Sequence, residues 1–96
     1  MTIKTIIELQ AKPGNRDALI NAMDDVLASM KTAKGYIGMR RYEVIDDPDS
    51  LIEIAEWESP RARRNWLEQS VESGVLSRLM GTLGVPFKAI TVRQMK

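Results

Sequence analysis

Segments with the hydrophobic period of a strand alternate with segments that have the period of a helix. The order of these segments constrains the fold more than any other feature of the sequence. Residues 2–11 have the period of a strand, and one face of that strand carries Ile3, Thr5, Ile7 and Leu9. Residues 16–33 change to the helical period, and their apolar stripe comprises Ala18, Leu19, Ala22, Met23, Val26, Leu27, Met30 and Ala33. A stripe of this kind predicts a helix with one face on a core.

Turn-forming residues mark both ends of this helix. The run Lys12-Pro13-Gly14-Asn15 predicts a turn, and Asn15 is suited to cap the helix N-terminus. Gly35 is predicted to end the helix, because glycine readily adopts the left-handed conformation found after helix C-termini.

The next residues predict an antiparallel hairpin. Tyr36–Ile45 is rich in β-branched and aromatic residues and predicts a strand. Residues 46–50, Asp-Asp-Pro-Asp-Ser, predict a turn, and Leu51–Glu58 predicts another strand. The short connection between the two strands favours antiparallel pairing.

The last part of the sequence predicts a second helix and a final strand. Ser59 and Pro60 are a suitable N-cap and first residue for the helix. Gly74 interrupts the helical pattern, and a short helical stretch follows that ends between Gly81 and Gly84. Residues 87–95 predict the final strand.

The predicted order is therefore β-α-β-β-α-β in a single domain spanning residues 1–96. This order predicts an α+β, ferredoxin-like fold, in which an antiparallel sheet carries both helices on one face. The opposite face combines Ile6 with further apolar positions, so a second copy of the chain is expected to cover it. The sequence thus predicts a homodimer formed through the sheet faces.

Composition excludes several classes of chemistry. The sequence has no histidine and no cysteine, which removes the most frequent general base, metal ligand and haem ligand, and all thiolate chemistry. We therefore expect no cofactor, whether metal, flavin or haem. The 14 basic and 13 acidic residues give no basic patch for nucleic acid or a membrane surface. No apolar run is long enough for a signal or a membrane span, which predicts a cytoplasmic protein.

Several short motifs in a fixed order resemble one known family. The motifs are Lys12-Pro13-Gly14, Gly35-Tyr36, Tyr42-Glu43-Val44, the turn 46–49, and Glu56-Trp57-Glu58-Ser59 followed by Ala62. Each motif alone is weak, but their order and spacing resemble the antibiotic biosynthesis monooxygenase family from residue 2 to about residue 71.

This resemblance implies a dimeric α+β barrel. Some similar proteins oxidise phenols or anthrones to quinones with dioxygen and no prosthetic group, others degrade haem, and many have no assigned activity. The family often has a histidine on the second helix, nine positions after the motif tryptophan, where this sequence has Trp66. Because the haem-degrading branch needs a histidine ligand, the resemblance favours the cofactor-free oxygenases, whose pockets contain tryptophan and asparagine.

Four residues are the candidate catalytic residues. Trp66 is predicted to lie between helix and sheet, either as core or as a pocket wall whose indole N–H meets a substrate oxygen. Asn65 beside it binds substrate if it is buried, and has no role if it is exposed. Tyr36 is a candidate to orient or deprotonate a phenol, and Arg40 to stabilise a phenolate or enolate.

Four further residues are candidates for substrate binding. Tyr42 is predicted to share a strand face with Tyr36, since the two lie six residues apart. Trp57 either lines the pocket or packs where the strand meets the helix. Arg41 points to the face opposite Arg40, and either of them forms an ion pair or faces the pocket. Arg93 is a lesser candidate of the same kind.

Other charged residues are interpreted without a function. Arg61, Arg63 and Arg64 predict a solvated helix face, on which Arg64 pairs with Glu68 four residues later. The acidic residues of the turn 46–50 lack the glycine that a calcium loop requires.

Three functions remain open from the sequence. The first is cofactor-independent oxygenation of an aromatic or polyketide-like small molecule by dioxygen. The second is a non-catalytic binding or accessory domain for a small molecule. The third is a cyclase or isomerase that uses tyrosine or a carboxylate for acid–base chemistry in the same pocket.

Overall fold

The computed structural model describes residues 2–96. Its elements are β1 (Ile3–Gln10), α1 (Arg16–Lys31), β2 (Tyr36–Val44), β3 (Asp47–Trp57), α2 (Pro60–Ser73), α3 (Val75–Gly81) and β4 (Lys88–Val92). The four strands form one sheet in the order β2-β3-β1-β4, and every neighbouring pair is antiparallel. The predicted ferredoxin-like α+β fold is confirmed.

The two faces of the sheet have different surroundings. One, which we call the helix face, packs against the helices, and its buried residues from the central strands are Ile3, Thr5, Leu9, Leu51, Glu53, Ala55 and Trp57. The other, which we call the open face, has no helix on it and carries Ile6, Ile52, Ile54 and Ile90. Alternation along β1 and β3 produces this division, because successive strand side chains point to opposite sides.

The apolar stripe of α1 provides much of the core. Leu19, Met23, Val26 and Met30 are each at most 5% exposed and lie on that stripe. Burial of a side chain of this size stabilises the fold by roughly 1.5–3 kcal/mol. The helix is therefore held mainly by packing of one face, as its sequence pattern predicts.

The predicted helix ends are partly corrected. Asn15 occupies the N-cap of α1, but its side chain makes no capping hydrogen bond, and Thr32 rather than Gly35 follows the last helical residue. Ser59 is confirmed as a cap, since the Ala62 N–H donates to its Oγ at 3.1 Å. Gly74, with φ of 79°, separates α2 from α3 as the sequence indicates.

The hairpin is tighter than predicted, and the final strand is shorter. Residues 47–50 belong to β3 rather than to a turn, because Val44 already pairs with Asp47. The Asp47 carboxylate accepts hydrogen bonds from the Asp49 N–H and the Ser50 hydroxyl, which satisfies polar groups of this segment. At the C-terminus, β4 covers only Lys88–Val92, which pair with residues 4–8 of β1.

No helix in residues 2–96 is long and apolar enough to cross a membrane.

The close approach of Gly35 to α2 generates a prediction. A Cβ at Gly35 would lie 2.5 Å from the Ala62 Cβ, and the φ of 91° disfavours any side chain. Gly35→Ala should therefore lower the free energy of unfolding by about 2–4 kcal/mol, measured by chemical denaturation. Gly81→Ala is the matched control, because its Cβ would meet nothing within 4 Å. Equal stability of the two variants would contradict the assigned contact.

Candidate active site

A partly enclosed cavity of about 60 Å³ lies between the helices and the helix face of the sheet. Its lining residues come from β1, α1, β3, α2, α3 and the segment before β4, and are Thr5, Ile7, Leu9, Val26, Met30, Glu53, Ala55, Trp57, Arg63, Trp66, Leu67, Leu76, Leu79 and Phe87. Most of these side chains are apolar. The cavity is therefore largely apolar, and Thr5, Glu53, Arg63 and the two indoles are the lining groups that offer polar atoms.

Two tryptophans form one wall of this cavity. Trp57 is 1% exposed and Trp66 6%, and their ring centroids lie 5.7 Å apart with the planes tilted by 35°. The Trp66 Nε1–H donates to Ser29 Oγ at 3.1 Å. Trp66 is thus both buried in the core and part of the cavity lining, and because its N–H donates to Ser29 of α1, it presents an aromatic surface to the cavity.

A buried carboxylate lies in the same cavity. Glu53 is 4% exposed, and the Arg41 Nε–H donates to its Oε2 at 2.9 Å. Its Oε1 has no hydrogen bond to any of residues 2–96. Burial raises the pKa of Glu53 although the Arg41 guanidinium opposes the shift, and the nearby Asp24 carboxylate raises the pKa further. Glu53 is consequently a carboxylate that binds a proton more readily than an exposed glutamate does.

Arg41 lies behind this carboxylate rather than in the cavity. Its Nη1–H donates to Asp24 Oδ1 at 2.5 Å, so Arg41 joins α1 to the sheet through Asp24 and Glu53. Arg41 is not among the residues that line the cavity. Of the two alternatives that the sequence left open for Arg41, an ion pair or a place facing the pocket, the structure shows the ion pair, with Glu53 as its partner.

The Thr5 hydroxyl is a second polar group without a protein partner. Thr5 is fully buried and lines the cavity, and its Oγ1 has no hydrogen-bond partner within the described chain. A buried hydroxyl without a partner costs roughly 1–3 kcal/mol. The Thr5 hydroxyl is therefore free to bond to a molecule in the cavity.

Arg63 contradicts the prediction of a fully solvated basic face. It is half-buried and lines the cavity, whereas Arg61 and Arg64 are exposed. Burial lowers the pKa of Arg63. Arg64 and Glu68 form no ion pair in the described structure. The reason for the difference is helical geometry, because residues 63 and 67 share the side of α2 that faces the sheet.

The two tyrosines lie on opposite faces, contrary to the prediction. A β-bulge at Ile37 separates the pairs Tyr36–Trp57 and Gly38–Glu56, and this extra residue reverses the alternation. Tyr36 therefore packs edge-on against Trp57, with 5.7 Å between centroids, and burial raises its pKa. Tyr42 lies beside Ile52 on the open face and is 45% exposed. Neither tyrosine lines the cavity.

Three other candidates also lie outside the cavity. Arg40 is exposed and pairs with Ile54 on the open face. Asn65 is exposed and lines an outer cleft on the far side of Trp66, together with Arg61. Arg93 is exposed and directly follows β4. Of the eight predicted site residues, two line the cavity, and these are Trp57 and Trp66.

Sequence reasoning missed Thr5, Glu53 and Arg63, three polar residues that line the cavity. For Glu53 a signal was present, because it interrupts the buried apolar positions Leu51, Ala55 and Trp57 of β3. A charged residue at a strand position whose side chain points into the core needs a partner or a function. Among residues 2–96, no group of three side chains of the kind that binds metal ions is found together.

The hydrogen bond between Trp66 and Ser29 generates a prediction. Trp66→Phe should lower the free energy of unfolding by about 1–2 kcal/mol, because it removes the indole donor and leaves the Ser29 hydroxyl without that partner. A double-mutant cycle with Ser29→Ala, measured by urea denaturation, should give a coupling energy of about 0.5–1.5 kcal/mol. A coupling energy near zero would show that this hydrogen bond does not stabilise the fold.

Comparisons with known structures give the same architecture. A conserved protein from Methanosarcina mazei Go1 has a TM-score of 0.88 at 16% identity, covering 99% of this chain and 94% of the other. Rv0793 from Mycobacterium tuberculosis has a TM-score of 0.86 at 16% identity, covering 100% and 97%. SnoaB from Streptomyces nogalater, a cofactor-independent oxygenase, has a TM-score of 0.82 at 17% identity, covering 98% and 95%.

These identities are low, so the structural matches establish the fold alone. Comparison of the sequence with curated proteins gives no significant match. The sequence model of the antibiotic biosynthesis monooxygenase family matches residues 2–71, which is most of the chain. That match agrees with the motifs at the turn 12–14 and at residues 56–59. The chain belongs to the antibiotic biosynthesis monooxygenase family.

Proposed function

We propose that this protein is a cofactor-independent monooxygenase that acts on an aromatic or polyketide-like small molecule in the cavity. The observation that carries the proposal is the buried Glu53 carboxylate, which lines an apolar cavity walled by Trp57 and Trp66 and whose Oε1 accepts no hydrogen bond from residues 2–96. Family membership supports the proposal, as does the description of SnoaB as a cofactor-independent oxygenase.

In this proposal the substrate is an electron-rich carbon acid, such as an anthrone or a phenol tautomer, and Glu53 is the general base. The carboxylate takes a proton from the reacting carbon or its enolic hydroxyl, and Arg41 holds Oε2 in place. The unpartnered Thr5 hydroxyl donates to the substrate oxygen on which negative charge develops. The apolar walls exclude water, which would otherwise protonate the anion.

Dioxygen is the oxidant, and with it the atoms and electrons of the reaction balance. The anion transfers electrons to dioxygen, a carbon–oxygen bond forms, and the peroxide oxygen recovers the proton that Glu53 holds. Removal of the second proton from the same carbon then breaks the oxygen–oxygen bond, forms a carbonyl and releases water. In sum, one CH₂ group and one dioxygen yield one C=O group and one water.

Substrate binding requires the cavity to expand. Its volume of about 60 Å³ is below the roughly 300–1,000 Å³ of ordinary ligand sites. Phe87 is the most accessible of the apolar wall residues, at 38% exposure, and belongs to the segment between α3 and β4. We propose that this segment moves to admit the substrate.

The role of Glu53 generates a prediction. With dithranol, an anthrone, the wild-type protein should consume one dioxygen per quinone formed, and Glu53→Gln should lower the turnover above background roughly 100-fold or more. Wild-type turnover should increase as the pH rises through the elevated pKa of Glu53, because the base acts when deprotonated.

Glu68→Gln is the matched control, since this residue is exposed on α2 and has no ion pair in the described structure. Thermal denaturation verifies that each variant is folded. Full turnover by Glu53→Gln would refute the assigned base. Product formation without dioxygen consumption would instead favour the cyclase or isomerase that the sequence left open.

We also propose a homodimer in which a second copy covers the open face. Ile6, Ile52 and Ile54 are only partly buried there, and Tyr42 and Ile90 are 45% and 57% exposed. An apolar sheet face of this extent is costly to leave in water, and a second copy would cover it by packing sheet against sheet.

Light scattering after size exclusion at micromolar concentration should give twice 10.8 kDa. Ile90→Glu should shift the mass to 10.8 kDa, because it introduces a charge on the open face. Val71→Glu, at a residue that is 70% exposed on α2, should leave the dimer intact. A monomeric wild type would eliminate this arrangement.

A further inference from the structure

Arg63 lies where the inner cavity meets the protein surface. It lines both the partly enclosed cavity and an adjoining outer cleft of about 230 Å³. The outer cleft is formed by Ile3, Pro60, Arg63, Arg64, Leu67 and Thr91. Because the Arg63 side chain belongs to both spaces, a molecule that extends from the cavity into the cleft has to pass it.

Arg63 differs from the other partly buried arginines in having no partner. Arg16 pairs with Glu43, and Arg41 pairs with Glu53 and Asp24. The Arg63 guanidinium forms no ion pair or hydrogen bond with any of residues 2–96, and burial lowers its pKa. A desolvated cation without a counter-charge is unfavourable, so an anion that binds there gains from the pairing.

The charges around the opening are complementary to an anion. The outer cleft contains Arg63 and Arg64 and no acidic residue, and Thr91 adds a hydroxyl donor. Glu53, the acidic residue in the cavity lining, is engaged by Arg41, and Arg63 does not contribute to the shift of its pKa. The cavity therefore presents a cation at its opening and a proton acceptor inside.

We propose that Arg63 binds a carboxylate of the substrate, so that the substrates of this protein are small phenolic or enolic acids. The carboxylate lies in the outer cleft against the Arg63 guanidinium. The ring lies against Trp57 and Trp66, and the ionisable hydroxyl points toward Glu53 and Thr5. This assignment rests on the proposed oxygenase function for its chemistry, but the anion site is testable by binding alone.

A matched pair of ligands tests the anion site. 4-Hydroxybenzoate and 4-hydroxybenzamide have nearly the same shape and differ in charge. The protein has two tryptophans, and both line the cavity, so their two indole N–H resonances in ¹⁵N NMR spectra report binding. The wild-type protein should bind the carboxylate about tenfold or more tightly than the amide, as expected for a charge-assisted hydrogen bond.

Arg63→Gln should abolish this preference, and Arg63→Lys should restore part of it. Arg61→Gln is the control, because Arg61 is exposed on the same helix and lines a different cleft. Arg63→Gln should melt at or above the wild-type temperature, since it removes an unpaired, partly buried charge. Retention of the preference in Arg63→Gln, equal wild-type affinities, or no indole shift at millimolar 4-hydroxybenzoate would each overturn the proposal.

The result also separates the anion site from the oxygenase. A carboxylate preference that depends on Arg63, without dioxygen consumption on any hydroxyaromatic acid, would retain the anion site and reject oxygenation. Dioxygen consumption on dithranol with unaltered turnover in Arg63→Gln, and no carboxylate preference, would retain oxygenation and reject the anion site.

Discussion

The ion pair between Glu53 and Arg41 is the interaction on which the rest of the structure depends. Glu53 occupies a position of β3 where its neighbours on the same face are apolar and buried, and its charge is compatible with that position only when paired. Arg41 comes from the adjacent strand, and Asp24 from α1 adds a second contact to it. One guanidinium thus links β2, β3 and α1.

The β-bulge at Ile37 determines which face of β2 reaches this ion pair. Without the extra residue, Tyr36 and Arg41 would lie on opposite faces of the sheet; with it, both lie on the helix face. Tyr36 then packs against Trp57, and Arg41 meets Glu53. The bulge follows Gly35, whose left-handed backbone allows β2 to begin close to α2. A local irregularity therefore determines which β2 side chains contact Trp57 and Glu53, two residues of the cavity wall.

The polar groups inside the cavity differ from the one at its opening, and this difference suits the proposed chemistry. Its interior has a carboxylate of raised pKa and an unpartnered hydroxyl, while its opening has an unpartnered guanidinium. An oxygenase without a cofactor depends on the electron density of its substrate, so the protein has to form an anion and protect it from water. In the proposed mechanism, this chain without histidine or cysteine uses the Glu53 carboxylate for that step, because burial raises the pKa of Glu53.

The sequence by itself determined the element order, the apolar stripe of α1, the Ser59 cap and the assignment of helices to one side of the sheet. These features depend on local periods and on single residues at helix ends, which are readable along the chain. The motifs around residues 12–14 and 56–59 likewise indicated the family. The tertiary structure alone decided which side chains form the site: the bulge moved Tyr42 and Arg40 to the open face, helix rotation brought Arg63 inward, and packing buried Glu53. The alternation of β3 did indicate that Glu53 is buried, but it did not indicate its partners Arg41 and Asp24. Those partners and the other two features depend on register or rotation between elements distant in sequence, which no local pattern records.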